Sequence, residues 1–263
     1  MVITSMENAF SLKGKNAIIT GGNKGIGYGI SLAFAQQGAN IAIMARDEST
    51  GKKVVDELTE KYGGKYLFYK LDISSMENCK TAVEKAIGDF GNIDILVNNA
   101  GIGPTGNVLD MDENMTDWFK CIDIDLNGAV RMTYHVGKHM RDFGKGGRII
   151  NISSNAGEVC SKSVNMAAYC TAKAAMNMFT KGMACELARF GIRVNAIAPG
   201  FTYSNLLADM PDFALEGLKK SIPVGRLGQP IEIGALATYL ASDASDNMTG
   251  AVLTIDGGHS LAI

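Results

Sequence analysis

Seven short apolar runs alternate with longer segments whose apolar residues recur three and four apart, and no other feature restricts the fold of this chain so strongly. The runs are NAIIT (16–20), NIAIMA (40–45), YLFYKLD (66–72), IDILVNNAG (93–101), GRIINISS (147–154), IRVNAIAPG (192–200) and AVLTIDGG (251–258). Between them, segments 25–37, 49–61, 75–88, 114–142, 166–190 and 230–242 carry the period of amphipathic helices. Strand and helix in unbroken alternation predict a parallel sheet covered on both faces, and crossover handedness leaves few topologies for it. The chain should therefore adopt a doubly wound α/β fold with a seven-stranded parallel sheet. No repeat, low-complexity tract or flexible linker divides it, and 263 residues with 46% hydrophobic content suffice for one core, so residues 1–263 are expected to form one domain. Segment 201–227, FTYSNLLADMPDFALEGLKKSIPVGRL, mixes helical periodicity with Pro211 and Pro223 after a late strand. In such folds that position overhangs the ligand crevice, which predicts a mobile lid.

Charge excludes several partners. A formal charge of −2 offers no basic surplus for nucleic acid or an anionic membrane surface. The N-terminal MVITSMENAFSLKGK lacks a basic-then-apolar run, and no segment reaches the roughly 20 apolar residues that cross a bilayer. A cytoplasmic protein acting on a small molecule, with no membrane or nucleic-acid partner, is expected. Cys79, Cys121, Cys160, Cys170 and Cys185 are odd in number, scattered and without C-x-x-C spacing, which suits buried reduced thiols better than disulfides or a metal site.

The turn from the first strand into the first helix reads TGGNKGIGYG (20–29), with Gly21, Gly25 and Gly27 placed so that backbone amides and a helix N-terminus can approach a pyrophosphate. A tight turn alone would also explain glycines, so their position after the strand is what points to a dinucleotide. The second strand ends in Ala45 and Arg46, where such folds meet the adenosine ribose, and Lys24 lies within the glycine turn. Two cations converging there favour NADP(H) over NAD(H), with Asp47 beside Arg46 as the opposing observation.

In AAYCTAKAA (167–175), Tyr169 and Lys173 stand four apart on one face of a helix built from small residues. An unperturbed phenol, with a pKa of about 10, is a poor acid or base at neutral pH unless a cation stabilises the phenolate, and Lys173 can supply that cation. Ser153 and Ser154, at the end of the fifth strand, offer a hydroxyl to hold a substrate carbonyl. Alone, a Tyr and Lys at this spacing are an ordinary surface pair. Together with the glycine turn, the ribose-end cations and the strand-end serines, they read as a reaction centre.

With TGGNKGIG, LDIS, NNAG, ISS, YCTAK, NAIAPG and TIDGG in order along essentially its whole length, the chain resembles the short-chain dehydrogenase/reductase family, whose fold is Rossmann-type. The resemblance implies that Tyr169 is the general acid/base, that Lys173 binds the nicotinamide ribose and favours the phenolate, and that Ser154 orients the reacting oxygen. It implies that Gly21, Asn23, Gly25, Ile26 and Gly27 wrap the pyrophosphate, that Asp72 and Ile73 meet the adenine, and that Asn99, Ala100 and Gly101 line the cofactor. Pro199, Gly200, Thr202 and Ser204 would meet the nicotinamide end, with Ser204 where the family usually has threonine.

One position departs from the family pattern. Its catalytic Asn, in a run like N-L-x-G, is here Asp125 of DIDLNG, seven residues after Trp118. Asn127 does not stand in, because two residues along a helix is about 200° of rotation. In the family the main-chain carbonyl of this slot holds a water of the proton relay, and a carbonyl survives the change, so an active enzyme is expected. Several motifs are similar to NADP-dependent mannitol, sorbose and gluconate dehydrogenases, and Asn155, Glu158, Ser161, Ser163 and Asn165 could meet hydroxyls, which favours a keto-sugar or polyol. Phe201, Tyr203, Leu206, Leu207, Met210 and Phe213 leave open a steroid or acyl chain, and a non-catalytic NADP-binding sensor is the alternative of another class. Flat helices at 114–142 and 166–190, elements that the family pairs across two-fold axes, predict a homotetramer or a dimer.

Overall fold

The structure is a computed structural model that describes residues 6–160, 165–203 and 210–262. Strands β1 (Asn16–Thr20), β2 (Asn40–Ala45), β3 (Tyr66–Lys70), β4 (Ile95–Asn98), β5 (Gly147–Ile152), β6 (Ile192–Pro199) and β7 (Val252–Ile255) form one sheet in the order β3-β2-β1-β4-β5-β6-β7. Every pairing is parallel, with Thr20 opposite Met44, Ile19 opposite Val97 and Asn98 opposite Asn151. This is the doubly wound, Rossmann-type sheet, and its strand order reverses between β1 and β4.

Helices α1 (Gly25–Gln36), α2 (Glu48–Tyr62) and α8 (Pro230–Ala241) cover one face, where Ile30, Phe34, Val54, Leu58, Ile233 and Leu240 meet the β-branched side of the sheet. On the other face α3 (Met76–Phe90), α5 (Gly128–Phe143) and α6 (Ala167–Leu187) bury Val83, Met132, Val136, Met140 and Ala184. Caps fix where several of these begin and end. Asp47 accepts from the amides of Ser49 and Thr50 at the head of α2, Ser75 accepts from Asn78 N at the head of α3, and left-handed Gly63 and Gly91 terminate both helices.

The expected continuous helix over 114–142 is instead α4 (Thr116–Ile122), a π turn (Asp123–Asn127) and α5. Periodicity does not register a π turn, because one widened turn leaves the apolar stripes on either side intact. Within the expected lid, residues 204–209 lie outside the described residues, and Asp212–Ser221 is a helix, α7. Among the described residues no helix is long and apolar enough to cross a membrane.

Candidate active site

The loops leaving β1 and β4 frame a crevice at the point where the strand order reverses. Thr20 ends β1 fully buried. Its hydroxyl donates to Val97 O (3.3 Å) and accepts from the amides of Asn99 (2.9 Å) and Ala100 (3.0 Å). Asn99 Nδ2 returns the connection by donating to Thr20 O (2.9 Å) and Gly21 O (3.3 Å). Gly21 has a left-handed φ of 65°, and a Cβ on Gly27 would collide with Gly21 O, so the turn closes tightly on the first turn of α1.

Lys24 is the N-cap of α1, extended, with no side chain capping the helix and no acid in its first turn. The leading amides of α1 are therefore available to an anion, which fits the pyrophosphate of a dinucleotide. Asn23 Nδ2 donates to Thr50 Oγ1 (2.6 Å), and Ile26 packs on the core beneath. Lys24 and Arg46 are exposed and form no salt bridge among the described residues. Asp47, the acid beside Arg46, is turned to the amides of Ser49 (3.0 Å) and Thr50 (3.2 Å). Asp72 Oδ1 accepts from the hydroxyl (2.7 Å) and amide (3.0 Å) of Ser74, and these bonds, with a smaller pull from Arg46, hold its carboxyl below the usual range. Ile73 is buried against Gly128.

The reacting end lies across the crevice. Tyr169 and Lys173 project from one face of α6, with Lys173 Nζ 5.3 Å from the centre of the Tyr169 ring. Lys173 is 4% exposed, donates to Ile152 O (3.2 Å) and lies 3.1 Å from Asp125 Oδ2. Burial opposes its charge, yet Tyr169 and Asp125 outweigh burial and hold the ammonium above the ordinary lysine range. Asp125 is buried in the π turn, and its Oδ1 accepts from Ile102 N (2.7 Å). Burial pushes its carboxyl up, against the pull of Lys173 and the Ile102 amide. Asn127 faces the other way, donating to Asp123 Oδ1 (3.3 Å) on the side where Arg131 pairs with Asp123.

The two strand-end serines differ in what they touch. Ser153 Oγ donates to Lys173 O (3.1 Å), so its proton is committed to α6. Ser154 Oγ accepts from Ala156 N (3.1 Å), and its nearest acceptor, Asn155 Oδ1, is 3.5 Å away. Asn155 Nδ2 meets His259 Nδ1 (3.2 Å) and Ser260 Oγ (3.3 Å), which brings the segment after β7 up behind Ser154. His259 and Ser260 were not expected beside Asn155, because contacts across 104 and 105 residues leave no local pattern. Pro199 ends β6, and Gly200 N donates to Ile255 O (3.0 Å). Thr202 is buried, with its hydroxyl on Gly200 O (3.1 Å). Ser204, Leu206, Leu207, Ser161 and Ser163 lie outside the described residues. All five cysteines are free; Cys79 and Cys121 are buried as expected, whereas Cys160 and Cys185 are exposed and Cys170 is intermediate.

Known proteins resemble this chain over nearly its full length. Residues 21–260 match a family described as Enoyl-(Acyl carrier protein) reductase. Over 247 residues the chain is 37% identical to a 3-oxoacyl-(acyl-carrier-protein) reductase of Chlamydia muridarum, covering 94% of this chain and 98% of that protein. It is 39% identical over 256 residues to a sorbose reductase of Candida albicans, covering 95% of this chain and 89% of that one. The crystal structure of a short-chain type dehydrogenase/reductase from Mycobacterium marinum superposes with a TM-score of 0.92 at 37% identity, covering 97% of this chain and 99% of the other. With a family match over residues 21–260, relatives at 37–39% identity over nearly the full length and the same parallel sheet in a solved structure, the chain belongs to the short-chain dehydrogenase/reductase family of oxidoreductases.

Proposed function

We propose that the protein is an NADP(H)-dependent oxidoreductase that interconverts a secondary alcohol and a ketone, with a keto-sugar or polyol as substrate. The observation that carries this reading is the buried Lys173 ammonium, held 5.3 Å from the Tyr169 ring and 3.2 Å from the carbonyl of Ile152, two residues before Ser154. A lysine is taken out of water at a cost of several kcal/mol unless it is compensated. Its position beside a half-buried phenol gives that cost a chemical purpose.

When bound, a nicotinamide supplies or accepts hydride at the substrate carbon. The chain's own groups do the rest. In reduction Tyr169 Oη gives its proton to the carbonyl oxygen while Ser154 Oγ donates a hydrogen bond to the same atom, and in oxidation the Tyr169 phenolate takes the alcohol proton with Ser154 still donating to that oxygen. Lys173 stabilises the phenolate and reaches the nicotinamide ribose, and the main-chain carbonyl of Asp125 holds the water that returns the proton. Gly21, Asn23, Gly25, Ile26 and Gly27 carry the pyrophosphate, Asp72 and Ile73 the adenine, Asn99, Ala100 and Gly101 the facing wall, and Pro199, Gly200, Thr202 and Ser204 the nicotinamide end. Exposed Lys24 and Arg46, with Asp47 occupied by the head of α2, favour a 2′-phosphate.

The substrate class is supported by the polar residues that follow Ser154, Asn155 and Glu158, with Ser260 bonded to Asn155. Phe201 and Met210, which an apolar substrate would need, instead pack on Ile222 and Leu227, and Phe201 also stands edge-on to His259 at 4.9 Å. The relatives named for acyl-carrier-protein substrates make an acyl thioester the second reading. A panel of ketoses, hydroxysteroids and acyl thioesters assayed with NADPH separates them, with turnover of ketoses expected. Tyr169→Phe should lose about 10² to 10⁴ in kcat with NADPH affinity intact, whereas Lys173→Met should weaken both. A Tyr169→Phe variant that keeps most of its turnover overturns the mechanism, and turnover confined to thioesters overturns the substrate.

A further inference from the structure

The resembled family places an uncharged amide where this chain has Asp125, and the structure puts that extra charge in contact with the reaction centre. The Asp125 side chain is completely buried. One oxygen is fixed by the Ile102 amide at 2.7 Å. The other, on which no hydrogen-bond donor is aligned, lies 3.1 Å from Lys173 Nζ, so their contact is one of charge with charge. Gly101 makes room for this oxygen: a Cβ there would come within 2.8 Å of Asp125 Oδ2. The ammonium is held between the carboxylate and Ile152 O.

We propose that Asp125 is a positioning residue that acts through Lys173: it fixes the ammonium beside the Tyr169 ring and counterbalances its charge, so that three groups rather than two govern how readily the phenol gives up its proton. This rests on the roles of Tyr169 and Lys173 given under Proposed function. Among the described residues, the ionisable groups facing Lys173 are Tyr169 on its own helix, Asp125 on the π turn and Cys121 on α4, while β5 contributes the Ile152 carbonyl. Burial pushes the Cys121 thiol up to about 12, so it carries no charge at working pH. The sign follows directly. Lys173 alone favours the phenolate, and a carboxylate against it weakens that preference, so removing the carboxylate should let the phenol ionise at lower pH. Charges within about 4–6 Å of a titrating group move it by about one pH unit or more, the scale expected when the partner of Lys173 loses its charge.

The test is an ultraviolet titration of tyrosinate in the cofactor-free protein, run on wild type and Asp125→Asn, each with and without Tyr169→Phe, so that the difference isolates one phenol among the eight tyrosines. Asp125→Asn keeps the shape and the acceptor for Ile102; Asp125→Ser keeps an acceptor without charge and reads the same shift if the first variant is insoluble. The Tyr169 transition is expected about one pH unit lower in Asp125→Asn, with the alkaline limb of kcat for reduction moving alike. In a Lys173→Met background the same substitution should move it markedly less. An unmoved or raised midpoint overturns the inference, and an equal shift without Lys173 overturns the claim that Asp125 acts through it. If Tyr169→Phe proves active, the proposed function fails; if that variant is inactive and the midpoint does not respond to Asp125, only this inference fails.

Discussion

Arg46 stands free at the end of β2 because the acid next to it is engaged elsewhere: the Asp47 carboxylate caps α2 and does not neutralise its neighbour. If Arg46 and Lys24 bind a 2′-phosphate, each charged contact is worth roughly 1.5 to 3 kcal/mol, about tenfold or more in affinity. Arg46→Asp should therefore lower NADPH affinity at least that much and raise NADH affinity, read by fluorescence titration with both cofactors. Equal wild-type affinity for NADH and NADPH would refute the assignment. The Tyr169 and Lys173 pair was legible in the sequence because one helical turn is a local relation. Between Ser153 and Ser154 the residues alone give no preference, and Ser154 follows from the family resemblance; the bond of Ser153 Oγ to Lys173 O is a long-range contact that the sequence does not display. Nor does it display Asn155 meeting His259, two residues 104 apart in sequence. The partner of the Asp125 carboxylate was hidden for the same reason, although its slot after Trp118 was readable.

Elements were easier to read than their ends. All seven strand runs are strands, yet five run past the strand end, because the residues that follow (Leu71 and Asp72, Asn99 to Gly101, Ser153 and Ser154, Gly200, Asp256 to Gly258) continue the local pattern while they form loops. Helix α7 was blurred by Pro211 and Pro223, which flank it rather than interrupt it. Close packing between helices left no signal at all. Where α8 crosses α1, a Cβ on Gly234 would lie 2.5 Å from Gly29 O and 2.8 Å from Ala33 Cβ. Gly234→Ala should therefore force the helices apart at a cost of about 1 to 3 kcal/mol, lowering Tm by several degrees in a thermal melt. Gly88, exposed within α3, would meet nothing within 4 Å, so Gly88→Ala should instead stabilise by about 0.5 to 1 kcal/mol. Equal melts for the two variants would show that the α1–α8 contact does not depend on this close approach.

At the scale of the whole molecule, large apolar side chains remain on the outer faces of α4, α5 and α6. Phe119 is 61% exposed, Tyr134 56% and Met178 66%. Exposed apolar surface gathered on adjacent helices is what self-association buries. A homotetramer, or failing that a dimer, is expected by light scattering at micromolar concentration, and Tyr134→Arg with Met178→Glu should shift the particle toward the monomer. A wild-type monomer would refute this. The sheet itself places a different limit on behaviour. Thr20 and Asn99 bolt β1 to β4 at the mouth of the crevice, the hydroxyl of one and the amides and carboxamide of the other crossing the junction with Val97 and Ala100. Parting these strands would break all of those bonds together, so the floor of the crevice opens only as slowly as the core unfolds. The two walls of the crevice therefore move as one body, and any faster opening must come from elements outside this junction.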